Sequence, residues 1–285
     1  MRPTARIHHY KWYELIGVYA GLAVFLFFVL APFFEGFMVS LKPLNHLFSA
    51  PYRFWPEDPS LAAYFDMWER VPLLGRYIFN SILIAGIGTA LSVIFVTPAA
   101  YAFARFEFKG RGPLLGAFLA VNMFSGAVLL IPLFRLMRSF GLINTYFAMI
   151  VPGVAFTIPT GIWLLRTYML RIPRELEEAA LVDGASRFYT FRRVIVPLAM
   201  PGIAVIAIAA FLTIYAQQFI FALTFNSKTE YMPLPVGLYA FFGRQEVIWN
   251  ELMAASFVGI LPVFIVFLFL QRYLVAGMTA GAVKT

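Results

Sequence analysis

The chain has 285 residues, of which 61% are hydrophobic and only 13% are charged, and its formal net charge is +8. Soluble domains have roughly 45–50% apolar and about 25% charged residues, so a water-soluble fold could not bury this much apolar surface. The composition excludes a soluble enzyme, a disordered protein and a nucleic-acid binder, and it indicates an integral membrane protein.

Six stretches of the chain contain no charged residue, and they hold 20, 28, 23, 27, 34 and 20 residues. A hydrocarbon core about 30 Å thick needs about 20 apolar residues in a helix, so each stretch can cross a bilayer once. The sequence therefore predicts an all-α membrane protein with six transmembrane helices, at residues 15–34, 77–104, 113–134, 145–165, 198–224 and 252–271.

Lys and Arg are distributed unequally over the connections between these spans. If the N-terminus is cytoplasmic, 14 of the 22 basic residues lie on cytoplasmic segments and 8 on exterior segments, which are longer in total. Cytoplasmic loops of membrane proteins carry the excess of positive charge. Both termini are therefore predicted to be cytoplasmic.

The long exterior segment, residues 35–76, contains an amphipathic pattern. Leu61, Tyr64, Phe65 and Trp68 follow a Pro-Ser pair at the spacing of one helix face. This pattern predicts a short helix that lies on the membrane surface and anchors the segment there.

The cytoplasmic segment 166–197 is too long for a plain connection, and its residues predict two short helices. Pro173 suits a first helical position, three glutamates between 175 and 178 suit a helix N-terminus, and Gly184 can take the left-handed conformation that ends a helix. The second helix is predicted from about Ser186 until Pro197 breaks it. The pair predicts a knob that projects from the membrane and that another protein could contact closely.

This segment resembles the EAA loop of ABC importer permeases, in which EAA is followed by three residues, G, about nine residues, I, any residue, L and P. The residues that carry the resemblance are Glu178, Ala179, Ala180, Asp183, Gly184, Ala185, Ile195 and Pro197. Other motifs resemble the smaller permease subunit of maltose-type carbohydrate ABC importers: Asn80 with Ser81, YAFARF at 101–106, GLINT at 141–145 and QRYLVAGMTAGAVK at 271–284.

The resemblance implies a type I ABC importer permease fold and the import of a sugar or sugar-derived solute across the bacterial inner membrane. It implies a larger homologous permease subunit, a dimer of ABC ATPase subunits and an extracytoplasmic solute-binding protein as partners. ATP and Mg²⁺ would be bound by the ATPase subunits, so this chain is expected to need no cofactor and to be no enzyme.

Two contacts with the ATPase are implied by position in the family. The EAA-loop residues would form the coupling helix that sits in a cleft of one ATPase subunit. The C-terminal tail, residues 272–285, would reach the ATPase dimer through Gly277, Thr279, Gly281 and Lys284, although a frayed terminus is the alternative.

An independent ion-driven carrier and a membrane-embedded enzyme are the competing classes. No charged residue lies deep in a predicted span, where proton-coupled transporters usually place one. The sequence has no cysteine and no GxxxxGK[ST] phosphate loop, and its three histidines do not have the spacing of a metal site. These absences favour a permease whose ATP is hydrolysed by another chain.

Polar residues at membrane depth are the candidates for a substrate path, because amides and aromatic faces bind hydroxyl-rich sugars. They are Asn80, Asn122, Tyr215, Gln217 and Gln218. The alternative for each is an interhelical hydrogen bond, worth about 0.6 to 2 kcal/mol. Ala216, Gln217 and Gln218 stand where the family usually has Trp-Asn-Asp or Trp-Asn-Glu. At least one of the two glutamines should point into the bundle.

Overall fold

The computed structural model describes residues 12–48, 51, 53–121, 123–124, 126–243 and 246–282, except for the side chains of residues 270 and 272–282. Within these ranges the chain forms thirteen α-helices. In chain order they are α1 (Trp12–Ser40), α2 (Leu44–Leu47), α3 (Ala62–Arg70), α4 (Leu74–Arg105), α5 (Arg111–Val121), α6 (Gly126–Ser139), α7 (Phe147–Met169), α8 (Glu175–Val182), α9 (Arg187–Thr190), α10 (Val196–Leu198), α11 (Met200–Phe225), α12 (Leu234–Gly237) and α13 (Trp249–Ala282).

Five of the described helices are long and apolar enough to cross a membrane: α1, α4, α7, α11 and the Trp249–Phe269 part of α13. A sixth crossing is present if α5 and α6 together make one span. The prediction of an all-α membrane protein is confirmed by this set of helices.

The third predicted span, residues 113–134, differs from a single straight helix. It is divided between α5 and α6, which are bent by 101° relative to each other. The residues between them in sequence are Asn-Met-Phe-Ser, followed by Gly126. Asn, Ser and Gly disfavour helix interiors, so a stretch with enough apolar residues to cross a bilayer need not form one continuous helix.

The core of one compact unit, residues 71–240 and 258–285, is formed by α4, α7 and α11. One buried cluster surrounds the C-terminal half of α4 and includes Val96, Ala100, Leu165 and Ile195. A second surrounds its N-terminal half and includes Ile84, Ala85, Ile150, Ile214 and Phe225. The three helices thus bury apolar side chains along most of their length.

Small residues let these three helices approach closely. A Cβ atom on Gly88 of α4 would lie 2.7 Å from Ile214 Cδ1, and one on Gly161 of α7 would lie 3.0 Å from Val96 Cγ2. Transmembrane helices associate through such packing because lipid is as apolar as their side chains. The positions of α4, α7 and α11 therefore depend on shape more than on hydrophobicity.

The other compact unit comprises residues 1–70 and 241–257. Its helix α3 begins just after Leu61, and Ser60 Oγ accepts the Ala62 amide at 3.1 Å. Ala63 and Met67 are buried, whereas Leu61, Phe65 and Trp68 are exposed. Tyr64 lies 2.9 Å from Ser40 Oγ through its hydroxyl. Three of the four residues in the predicted pattern are thus exposed, and Tyr64 is partly buried.

Candidate functional site

The EAA segment forms helix α8, and its C-terminal end has the geometry that the sequence predicted. Gly184 has a φ of +85°, in the left-handed region that favours glycine. The Gly184 amide donates to the Leu181 carbonyl at 3.1 Å, and the Ala185 amide donates to the Ala180 carbonyl at 3.0 Å. These two bonds make a Schellman motif, which ends the helix and reverses the chain toward α9.

The second helix of the segment begins as predicted but does not end at Pro197. Ser186 caps α9 by accepting the Tyr189 amide at 3.2 Å. A π-helical turn, Phe191–Ile195, follows α9 and leads into α10, which contains Pro197, and then into α11. Pro197 lies in the first turn of α10, where a missing amide hydrogen costs little. The prediction that Pro197 breaks the helix was therefore wrong.

The predicted coupling residues divide into an exposed set and a buried one. Glu178, Ala179, Asp183 and Gly184 are exposed, and Ala180 and Ala185 are partly exposed. Ile195 is fully buried in the cluster around the C-terminal half of α4, and Pro197 is exposed on α10. The structure thus presents the bend between α8 and α9 as a surface, while Ile195 supports the fold below it.

A buried polar cluster holds α8 against the end of α4. Arg105 Nε forms an ion pair with Glu177 Oε1, and the Tyr101 hydroxyl donates to Glu177 Oε2 at 3.0 Å. Arg105 Nη2 donates to the Ile172 carbonyl at 2.8 Å. The Arg105 and Glu177 side chains are only 6% and 12% exposed.

Sequence reasoning did not assign these three side chains to one cluster. The sequence predicts Glu177 near a helix N-terminus, and it presents Tyr101 and Arg105 only as part of the YAFARF motif. Their spacing of four residues puts Tyr101 and Arg105 on one face of α4, which is the local signal for a shared partner. Nothing local indicates that the partner lies 72 residues away.

Asn80, the first substrate-path candidate, is fully buried and holds a loop rather than a cavity. Its Nδ2 donates to the carbonyl oxygens of Glu230 at 3.0 Å and Met232 at 2.8 Å. Its Oδ1 accepts from the Tyr146 hydroxyl at 2.8 Å. These three hydrogen bonds join α4 to the loop at Glu230 and Met232 and to Tyr146, the residue before α7.

Tyr215 and Gln218 also contact other helices. The Tyr215 hydroxyl donates to the Gly259 carbonyl of α13 at 2.8 Å. Gln218 is 1% exposed, and its Nε2 donates to the Ser81 carbonyl of α4 at 2.8 Å. These two side chains therefore join α11 to its neighbours. Asn122 lies outside the described residues.

Gln217 differs from its neighbour because it lines a cavity of about 260 Å³ between α6, α7 and α11. Its side-chain oxygen has no hydrogen-bond partner among the described residues. Thr157, Thr160 and Thr213 add hydroxyl groups to the same cavity, and Phe124 and Phe156 add aromatic rings. Of the predicted path residues that the structure describes, Gln217 is the one that lines this cavity.

The C-terminal tail continues α13 as far as Ala282. Gly277, Thr279 and Gly281 lie on this helical backbone, and their side chains are outside the description. Lys284 lies outside the described residues.

Comparison with known proteins identifies the family. The family described as binding-protein-dependent transport system inner membrane component matches residues 96–280. The inner membrane ABC transporter permease protein YcjP of Escherichia coli K12 is 37% identical over 271 residues, 94% of this chain and 96% of that protein. The sulfoquinovosyl glycerol transport system permease protein SmoH of Agrobacterium fabrum is 37% identical over 86% of this chain and 85% of that protein.

A solved structure has the same fold. A chain of a bacterial ABC transporter involved in the import of the acidic polysaccharide alginate superposes with a TM-score of 0.78 and 24% identity, over 93% of this chain and 99% of that one. The fold, the family match and the two relatives agree with the resemblance carried by the EAA loop. The chain therefore belongs to the binding-protein-dependent transport system inner membrane components, the permease subunits of ABC importers.

Proposed function

We propose that this permease imports a sugar or sugar-derived solute as the smaller of two homologous permease subunits. The substrate class is supported by the relative named for sulfoquinovosyl glycerol and by the structural likeness to a transporter of a polysaccharide. An extracytoplasmic binding protein would deliver the solute. A dimer of ABC ATPase subunits would bind ATP and Mg²⁺, and this chain would bind neither.

The surface of α8 carries the coupling part of the proposal. Glu178, Ala179, Ala180, Asp183, Gly184 and Ala185 would enter a cleft of one ATPase subunit. Small side chains and the tight Gly184 turn permit close backbone approach, and the exposed Glu178 carboxylate offers a charge to a basic partner. The α13 tail, from Gly277 onward, would add a second contact with the ATPase dimer.

Gln217 carries the substrate-path part. Its unpartnered amide oxygen can accept a hydrogen bond from a sugar hydroxyl, and the rings of Phe124 and Phe156 can pack on a sugar face. The cavity would be one wall of a path completed by the larger permease subunit. Asn80, Tyr215 and Gln218 would hold that wall in place.

Transport would proceed by alternating access. ATP binding closes the ATPase dimer, the α8 knob moves with the ATPase surface, and the helical bundle turns against the partner permease. ATP hydrolysis then resets the inward-facing state. Each step requires that α8 be firmly joined to the membrane helices, which the contacts of Glu177 support.

Reconstitution tests the proposal. The chain is purified with its partner permease and ATPase, placed in proteoliposomes with the cognate binding protein, and supplied with sugars and amino acids selected by thermal shift of that binding protein. We expect ATP-dependent uptake of a sugar or sugar derivative. Uptake confined to amino acids would contradict the substrate class, and failure of the ATPase to copurify would contradict the coupling role of α8.

A further inference from the structure

We propose that α4 transmits movement between the coupling helix and a loop at the opposite end of the bundle. This returning loop comprises residues 229–237, the turn Thr229–Tyr231 and α12. Glu177 and Arg105 would be the positioning residues at one end of α4, and Asn80 and Ser81 those at the other. The inference rests on the proposed role of α8 in ATPase docking.

At its C-terminal end, α4 contacts both α8 and the segment that precedes α8. The Arg105 guanidinium reaches the Glu177 carboxylate and the Ile172 carbonyl, so one side chain holds two points of the segment. Arg166 of α7 donates from Nε to the Phe103 carbonyl at 3.1 Å and ties the same end of α4 to α7. Because Arg105 and Glu177 are nearly buried, separating them would expose charges to an apolar surrounding at considerable cost.

At its N-terminal end, side chains of α4 form hydrogen bonds with backbone groups of the returning loop. Asn80 donates to the Glu230 and Met232 carbonyls, and Ser81 Oγ accepts the Leu234 amide at 2.9 Å. Arg76 Nε adds a bond of 3.0 Å to the Glu230 carbonyl. The loop carbonyls and amide are thus satisfied by side chains of α4, so the loop must follow this end of the helix.

Between these two sets of contacts, α4 is one continuous helix. At about 1.5 Å per residue, Asn80 and Arg105 are separated by about 37 Å along the axis. Midway along α4, the hydroxyl oxygens of Ser92 and Thr157 lie 2.7 Å apart and join α4 to α7. Nearby, Gly88 of α4 packs against Ile214 of α11. A packed helix with buried polar contacts at both ends is a physical route for coupling between distant sites.

Two adjacent glutamates in α8 have different surroundings. Substituting them one at a time therefore tests the transmitting role of α4 separately from ATPase docking by α8. Glu177 points to α4 and is nearly buried, whereas Glu178 is exposed on the surface proposed for the ATPase. Glu175, in the first turn of α8, is also exposed. Substitution of each by glutamine removes one charge from the same helix and retains the shape of the side chain.

The experiment uses the assembled importer with a fluorophore on the returning loop. The chain has no cysteine, so Thr229→Cys at an exposed position gives a single labelling site in this subunit, which is labelled before the importer is assembled. In this background we expect ATP to change the fluorescence when the binding protein is present. Glu177→Gln and Asn80→Ala should each reduce that change about five-fold or more. Glu175→Gln should retain it, and the ATPase should still copurify with Glu177→Gln.

An undiminished ATP response in Glu177→Gln, with the ATPase bound, would overturn the role of α4. Normal ATPase docking and transport by Glu178→Gln together with Gly184→Val would instead overturn the proposed function of α8. If Glu177→Gln prevents assembly, the double variant Arg105→Met, Glu177→Leu replaces the ion pair by apolar side chains of similar volume. That double variant should restore assembly, and in its background an undiminished response of Asn80→Ala would also overturn the proposal.

Discussion

Arg70 and Glu251 form a bidentate ion pair between α3 and the first turn of α13. Arg70 Nε lies 2.5 Å from Glu251 Oε2, and Arg70 Nη2 lies 2.9 Å from Glu251 Oε1. The Glu251 side chain is 6% exposed, whereas that of Arg70 is 45% exposed. The hydrogen bond with Glu251 raises the pKa of the Arg70 guanidinium above its ordinary value. The pair therefore supplies the polar partners of a carboxylate that has little access to water.

Arg70→Met should destabilise the protein, because it leaves the Glu251 carboxylate buried without its partner. We expect the free energy of unfolding to fall by about 1–3 kcal/mol. Arg53→Met is the matched control, since Arg53 pairs with Glu57 on the surface with both side chains more than half exposed, and it should cost at most about 1 kcal/mol. Thermal melts in detergent compare the two variants, and equal melting temperatures would contradict the prediction.

The same pair predicts a direction of pH dependence. A raised pKa in the folded state means that the contribution of Arg70 is fully present at neutral pH and is lost as the pH rises through that raised pKa. Deprotonation of Arg70 should therefore reduce the difference in stability between wild type and Arg70→Met only in strongly alkaline solution. Melting curves recorded from neutral pH upward measure it, and a loss of the difference near neutrality would refute this cause.

Gln217→Ala and Gln218→Ala should have opposite effects. Gln217 faces the cavity, so its loss should raise the substrate concentration for half-maximal transport, by roughly five- to 150-fold for about 1–3 kcal/mol. Gln218 binds the Ser81 carbonyl, so its loss should lower the melting temperature and leave half-saturation unchanged. Each variant is the control for the other in uptake assays and thermal melts. Unaltered half-saturation in Gln217→Ala would remove this residue from the substrate path.

Gly184→Val should prevent coupling while the membrane helices remain folded. No described atom lies within 4 Å of the position a Cβ would take, so the cost arises from positive φ, about 1–3 kcal/mol, and from crowding of the proposed ATPase surface. Gly112→Val, on α5, is the control because its Cβ position is also open and its φ is not positive. Copurification of the ATPase and transport are measured. Wild-type transport by Gly184→Val would show that this turn is not needed.

The orientation in the membrane can be tested with single cysteines in this cysteine-free chain. Glu175→Cys lies on the predicted cytoplasmic segment, and Thr229→Cys lies on the predicted exterior side; both positions are exposed. In intact spheroplasts an impermeant maleimide should label Thr229→Cys, whereas Glu175→Cys should react only after the membrane is opened. The reverse pattern would invert the predicted topology.

The sequence by itself determined the features that depend on local chemistry. Uncharged stretches predicted helices that can cross a bilayer, because the cost of burying a charge in lipid acts on each residue separately. The left-handed end of α8 followed from Gly184, since glycine adopts positive φ without a steric penalty. The EAA pattern predicted the family that the comparisons found.

The hydrogen-bond and ion-pair partners of the polar side chains were decided by the tertiary structure alone. Gln217 and Gln218 are chemically identical neighbours, yet one lines a cavity and the other bonds α4, because a helix turns about 100° between them. Glu177 pairs with Arg105, which is 72 residues away in the sequence. Asn80 donates to carbonyls of the returning loop that are 150 and 152 residues away. Such pairings are long-range, so they follow from how α4, α7 and α11 pack and not from any local pattern.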